Sequence, residues 1–240
     1  MSENPLQPGG NLQELGHMHN IDGITAGEAV LRAARSFVQG DSSKHSDGHD
    51  WPHIERVTAL AVELAHRMGA DPSVCELAAL LHDVPDEKLN ESLEAGMAKL
   101  NDWLDTQPLD PDIRNKVVGI ISTISYAGGQ RPAVSSLEAQ VVQDADRLDA
   151  MGAIGIARTF AFSGARGREM YDPSLPPREQ MTREEYRNGR STTINHFYEK
   201  LFKLKDLMNT SYGKELAEQR HDYMVQFVDQ FKREWEGTNR

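Results

Sequence analysis

The sequence predicts an all-α fold. Apolar residues recur at three- and four-residue spacing over most of the chain, and few runs alternate with period two. Helix-capping residues and first-turn prolines stand where those apolar runs begin. A first helix is expected over Ala26 to Val38, from Ile24, Ala29, Val30, Ala33 and Phe37. Asp50 as N-cap and Pro52 in the first turn open a second; Ile54, Val57, Ala61, Leu64, Ala65 and Met68 form its stripe, and Gly69 closes it. Asp71-Pro72 caps a third that runs to His82, followed by a loop through Pro85 to Asn90. Helices are expected near 91–105 and 111–124, the latter opened by Asp110-Pro111. Ser135 with Glu138 resembles a capping box for one long helix ending near Ser163. Gly128-Gly129 and the stretch from Gly164 to Pro177 read as loops. The second carries Arg166, Arg168 and Tyr171 and is long enough for an active-site flap. Thr182 with Glu185 opens another helical region, and helices near 192–208 and 211–236 complete the chain. Tyr223, Met224, Phe227, Phe231 and Trp235 look like helix packing.

Residues 1–24 are polar and without sustained periodicity, and read as a flexible extension in which His17 and His19 face solvent. His45, His49 and His53 are spaced by four, but Gly48 and Pro52 argue against one helix carrying all three. His49 and Asp50 are candidates to fold over a site as outer groups.

At 240 residues the chain can bury a substantial core. A formal charge of −11 argues against stable nucleic-acid binding through a basic face, although metal and a few cations can still gather a nucleotide locally. Cys75 is the single cysteine, so neither an intramolecular disulfide nor a CxxC metal site is available. Without a signal peptide or an apolar run near 18 residues, a cytoplasmic, non-membrane protein is expected. A homodimer is compatible with the sequence.

The chemistry gathers at Leu77-Ala78-Ala79-Leu80-Leu81-His82-Asp83-Val84-Pro85-Asp86-Glu87, where an apolar helical run ends on an adjacent histidine and aspartate. Burying such a pair is costly unless something compensates it, and a divalent ion suits imidazole and carboxylate together. A capped helix end with a core histidine is the alternative. Upstream, His53 stands one turn into its helix at the edge of the apolar stripe. Downstream, Asp146 and Asp149 interrupt the stripe Ala139, Val142, Ala153, Ile156 and Phe160. A metal shared with His82 and Asp83, or an ion pair with Arg147 or Arg158, would account for them.

The order His53, His82-Asp83, Asp146 resembles the H…HD…D signature of the HD-domain superfamily of metal-dependent phosphohydrolases, closest to its stand-alone bacterial YedJ/YpgQ-like branch. The likeness extends through Gly48-His49-Asp50-Trp51, Gln143-Asp144-Ala145-Asp146-Arg147-Leu148-Asp149-Ala150, Gly152 to Phe160 and Asn195 to Leu201, and spans roughly residues 45 to 236. It implies an HD-domain helical bundle: a core over 25–163 with additional C-terminal helices over 164–240 packed on it. It also implies one divalent metal ion (Mn, Mg, Ni, Fe, Co or Zn) on His53, His82, Asp83 and Asp146.

Acids after the HD pair hold water in related guanosine-tetraphosphate hydrolases. That makes Asp86 the first candidate for general base or water-positioning group, and Glu87 the second. Arg56, Arg147, Arg158, Lys200 and Lys203 are the candidates for gripping phosphate. His196, Lys200 and Lys203 are expected on one helical face, with a plain solvated face as the alternative. The implied substrate is a small phosphorylated metabolite, first of all a nucleotide. The reaction pointed to is hydrolysis of a (deoxy)nucleoside triphosphate to monophosphate and pyrophosphate. Phosphomonoesterase, phosphodiesterase and guanosine-tetraphosphate hydrolase activities are the alternatives within the superfamily. A non-catalytic, metal-stabilised module that binds a nucleotide or protein is the alternative of another class.

Overall fold

The computed structural model describes residues 26–42, 50–124, 134–179 and 189–238. Expectations for the 1–24 extension, His17, His19, His45, His49, Gly128-Gly129 and the Thr182–Glu185 region lie outside them. The described residues form nine α-helices and no strand. They are α1 (Ala26–Ser42), α2 (Trp51–Met68), α3 (Pro72–Leu81), α4 (Leu93–Asp105), α5 (Pro111–Ile124), α6 (Leu137–Asp149), α7 (Gly152–Ala165), α8 (Thr193–Glu199) and α9 (Ser211–Trp235). Two 3₁₀ turns, Leu201–Lys203 and Lys205–Leu207, link α8 to α9. No helix among the described residues is long and apolar enough to cross a membrane.

The all-round apolar surface of α3 explains its place at the centre. Leu77, Ala78, Ala79, Leu80 and Leu81 are all buried, and α1, α2, α5 and α6 surround the helix. Because α2 packs on both α3 and α6, the start of α2, the end of α3 and the end of α6 converge. Outside this core, α4 packs on α1 through the stacked rings of Phe37 and Trp103, 5.1 Å apart.

The C-terminal helix α9 packs on α6 and α7. Its start is bolted by Asp144 of α6, which is fully buried and accepts hydrogen bonds from Asn209 N and Nδ2 and from Thr210 N and Oγ1. Four donors replace the water that this carboxylate loses. A Cβ at residue 213 would stand 2.5 Å from Asp144 Oδ2, so only glycine fits there.

Three expectations are corrected. The cap of α6 is Ser136, whose hydroxyl accepts from Ala139 N at 3.1 Å, and not Ser135. The single helix expected to reach Ser163 is two, α6 and α7, broken at Ala150-Met151-Gly152. Gly152 takes the left-handed φ of 68° and Arg220 of α9 donates to the Leu148 carbonyl at 2.5 Å, so the helical pattern ends there. The helix expected over 192–208 stops at Glu199, because that buried carboxylate is drawn to Arg178 and Ser191 Oγ. Lys200 then departs from helical geometry at φ −137°, and His196, Lys200 and Lys203 do not share one helical face.

The stretch read as a flap is anchored along much of its length. Thr193 N and Ile194 N donate to the Glu169 and Met170 carbonyls, and Asn195 Nδ2 to that of Leu175. Phe160, Phe197, Phe227, Phe231 and Tyr171 form one aromatic cluster with Trp235 at its margin, whereas Tyr223 is 53% exposed and does not pack as expected.

Candidate metal centre

Three helix ends supply the site. His53 lies in the first turn of α2, whose N-cap Asp50 accepts from His53 N at 3.0 Å. His82 caps the C-terminus of α3, with Asp83 next to it; Asp146 and Asp149 lie in the last turns of α6. His53 Nε2 stands 3.4 Å from Asp83 Oδ2 and 3.7 Å from Asp146 Oδ1. His82 Nε2 stands 3.3 Å from Asp83 Oδ1 and 3.8 Å from the same Asp146 oxygen. The two rings meet edge to face, 5.4 Å apart. His53, His82 and Asp83 thus bring one ligand atom each to within 4.8 Å of one another, and Asp146 Oδ1 stands beside both histidine nitrogens.

The ring orientations are fixed from behind. His82 Nδ1 donates to the Ala79 carbonyl at 2.7 Å, so its other nitrogen carries a lone pair. That Nε2 is buried and has no hydrogen-bond partner. An orphaned buried nitrogen beside two carboxylates fits a cation, because a cation satisfies the lone pair and both acids at once. Burial pushes His53 down, yet the hydrogen bonds and fields of Asp149, Asp83 and Asp146 outweigh it and raise its pKa to about 9. The negative cluster therefore calls for positive charge.

Behind His53 sits Asp149, 2% exposed, with Oδ2 at 2.8 Å from Nδ1. Arg56 grips this carboxylate through Nε at 2.6 Å and Nη2 at 3.0 Å, and Arg158 adds Nη1 at 2.5 Å. Burial raises the pKa of Asp149, but these partners more than reverse it and keep the group well below the usual carboxylate range. Arg56 and Arg158 are therefore turned onto Asp149; the sequence offered that ion pair for Arg158, but gave Arg56 only as a candidate for gripping phosphate. The sequence reading missed the bond between His53 and Asp149; its one local signal is that Asp149 follows Asp146 by a helical turn.

The other candidates divide. Asp86 is half-buried in the loop after Asp83, its Oδ1 accepting from Lys88 N at 2.7 Å, while Glu87 is exposed. Asn90 Nδ2 braces that loop by donating to the carbonyls of Val84 at 2.8 Å and Asp86 at 2.9 Å. Arg147 donates to the Leu207 carbonyl, which ties α6 to the second 3₁₀ turn. Lys200 is half-buried in the fields of Asp146 and Arg158; burial pushes its pKa down, Asp146 pushes it up and Arg158 down. Lys203 reaches away, to the Glu179 carbonyl at 3.3 Å.

Residues 51–151, which contain all four convergent groups, match the HD domain family. The chain is 37% identical over 207 residues to YpgQ of Bacillus subtilis, described as an uncharacterized protein, across 85% of this chain and 93% of that one. The crystal structure of an HD-superfamily hydrolase from Bacillus thuringiensis is similar with a TM-score of 0.71 at 47% identity, covering 88% of this chain and 98% of that one. The structure of Bacillus subtilis YpgQ in complex with ADP is similar with a TM-score of 0.71 at 35% identity, covering 88% and 97%. The convergent histidines and aspartates and these relatives lead to one assignment: the chain belongs to the HD-domain superfamily, alongside YpgQ, and is a metal-dependent phosphohydrolase.

Proposed function

We propose that this phosphohydrolase cleaves (deoxy)nucleoside triphosphates to the monophosphate and pyrophosphate, with one divalent ion on His53, His82, Asp83 and Asp146. The observation that carries the metal reading is the buried, partnerless Nε2 of His82 facing two carboxylates. The nucleotide reading is supported by the ADP complex of YpgQ. When bound, the ion polarises phosphoryl oxygens and offsets their charge.

The chain supplies the rest. Asp86 orients the attacking water and takes its proton, with Glu87 at the rim of the same loop. The water oxygen bonds to the α-phosphorus, the bond from that phosphorus to its bridging oxygen breaks, and pyrophosphate leaves. Lys200, half-buried near Asp146, holds a phosphate oxygen and gives locally the positive charge that the acidic chain lacks overall. Arg56 and Arg158 act behind the metal ligands, through Asp149.

A screen of divalent ions against nucleotides and phosphomonoesters, scoring pyrophosphate and orthophosphate separately, tests this. Pyrophosphate in step with nucleoside monophosphate is expected. Orthophosphate alone would replace the reading with a phosphomonoesterase, and no turnover with any ion would favour a binding module.

A further inference from the structure

We infer that Asp149 is a positioning residue that locks His53 into the one tautomer able to bind the metal ion. The inference rests on the metal reading above and adds to it a fifth residue that never touches the ion. A carboxylate only accepts hydrogen bonds, so the 2.8 Å contact to Nδ1 obliges the ring to donate there. Nε2 is thereby the nitrogen left facing Asp83 and Asp146, and in the neutral ring it is the one that carries the lone pair. His82 is oriented differently, by the neutral Ala79 carbonyl. Only His53 is tied to a full negative charge, and partners of this kind fix ring orientation and raise ligand basicity.

The surroundings of Asp149 favour this role over that of a plain ion pair. Its Oδ1 takes Arg56 Nε, while Oδ2 is shared by Arg56 Nη2, Arg158 Nη1 and His53 Nδ1. Two guanidiniums hold the carboxylate ionised and in place while it holds the imidazole. Two substitutions separate the bond from the charge. In Asp149→Asn the amide oxygen takes the Oδ2 place, where both guanidiniums and His53 Nδ1 donate, so the ring keeps its Nδ1 proton but loses the neighbouring charge. In Asp149→Leu no acceptor remains for Nδ1, and nothing holds the ring in the tautomer whose Nε2 faces the ion.

The test uses Zn²⁺ alone, measured by competition with a chromogenic chelator, together with imidazole ¹⁵N NMR on the Zn²⁺-loaded protein. The wild type should bind one equivalent and show a protonated Nδ1 on His53. Asp149→Leu should bind about 10- to 100-fold more weakly and lose that signal while its thermal melt stays cooperative, whereas Asp149→Asn should keep the signal and bind more tightly than Asp149→Leu. Arg56→Met, which leaves Arg158 and the bond between His53 and Asp149 in place, should lose less Zn²⁺ affinity than Asp149→Leu. If Asp149→Leu does not fold, the same substitution in the Arg56→Met background leaves one guanidinium fewer without its carboxylate, and the same loss is expected. Wild-type affinity with a retained Nδ1 proton in Asp149→Leu overturns the inference. So does an equal loss in Arg56→Met, which would make Asp149 an ordinary structural anion. A wild type that binds no Zn²⁺, Mn²⁺ or Ni²⁺ overturns the metal reading itself.

Discussion

His82 Nδ1 lies 2.7 Å from the carbonyl oxygen of Ala79, one turn back in the same helix. A purely local bond thus aims Nε2 out of the apolar core, toward acids that come from elsewhere in the fold. The helix end would leave this carbonyl without an intrahelical partner, and the ring satisfies it.

That geometry makes His82 and Asp83 the decisive pair for metal content. His82→Ala and Asp83→Ala should each lose most of the bound divalent ion, measured by elemental analysis after gel filtration. Wild-type stoichiometry in both proteins would mean that the cluster holds no ion.

Asp86 separates binding from catalysis. Asp86→Asn keeps the oxygen that accepts from Lys88 N, so the loop should survive. Its kcat should fall by about 10²- to 10⁴-fold, the usual range for general acid–base groups, with metal content unchanged. Loss of the metal would make Asp86 a ligand, and undiminished turnover would make it a bystander.

Arg147 and Lys200 should respond in opposite ways. Arg147 is spent on the Leu207 carbonyl, so Arg147→Ala should cost about 1–3 kcal/mol of stability, with kcat/KM near wild type. Lys200→Ala should melt near the wild-type temperature yet lose about 1.5–3 kcal/mol in kcat/KM, the range for hydrogen bonds to charged groups. Melting curves and steady-state kinetics on the same preparations decide; a kinetically normal Lys200→Ala would remove it from the phosphate site.

His196 predicts the acid limb of stability. Burial first, then the charges of Lys200, Arg168 and Arg178, push its pKa down to about 3 from the model-compound value of 6.5, with Glu199 opposing. Below 6.5 the unfolded chain takes up a proton that the folded imidazole refuses. This contribution is therefore complete above that value and is lost as pH falls toward 3. One such group changes stability by up to about 1.4 kcal/mol per pH unit, or about 3 °C in Tm for a chain of this size. His196→Gln should flatten the decline of Tm between pH 6.5 and 4.5; superimposable curves would show that the imidazole does not titrate in this way.

The local features were legible in the sequence because their causes are local. Asp50, Pro52 and Gly69 set the ends of α2, and Asp71-Pro72 sets the start of α3, since caps and prolines act within one turn. The His82-Asp83 pair stood out because polar groups ending an apolar helix need an explanation wherever the helix packs. The break between α6 and α7 was not legible. The apolar rhythm runs on from Ala139 to Phe160, and what ends the helix is Gly152 together with an arginine 72 residues downstream of Leu148. Side-chain destinations were equally hidden. Arg56, Arg147 and Arg158 carry the same charge, and sequence spacing cannot tell a carboxylate or carbonyl partner from a phosphate. The approach of α2 to α6 and the return of the chain through Leu207 make that choice, because hydrogen bonds act over about 3 Å while their partners here lie as many as 93 residues apart.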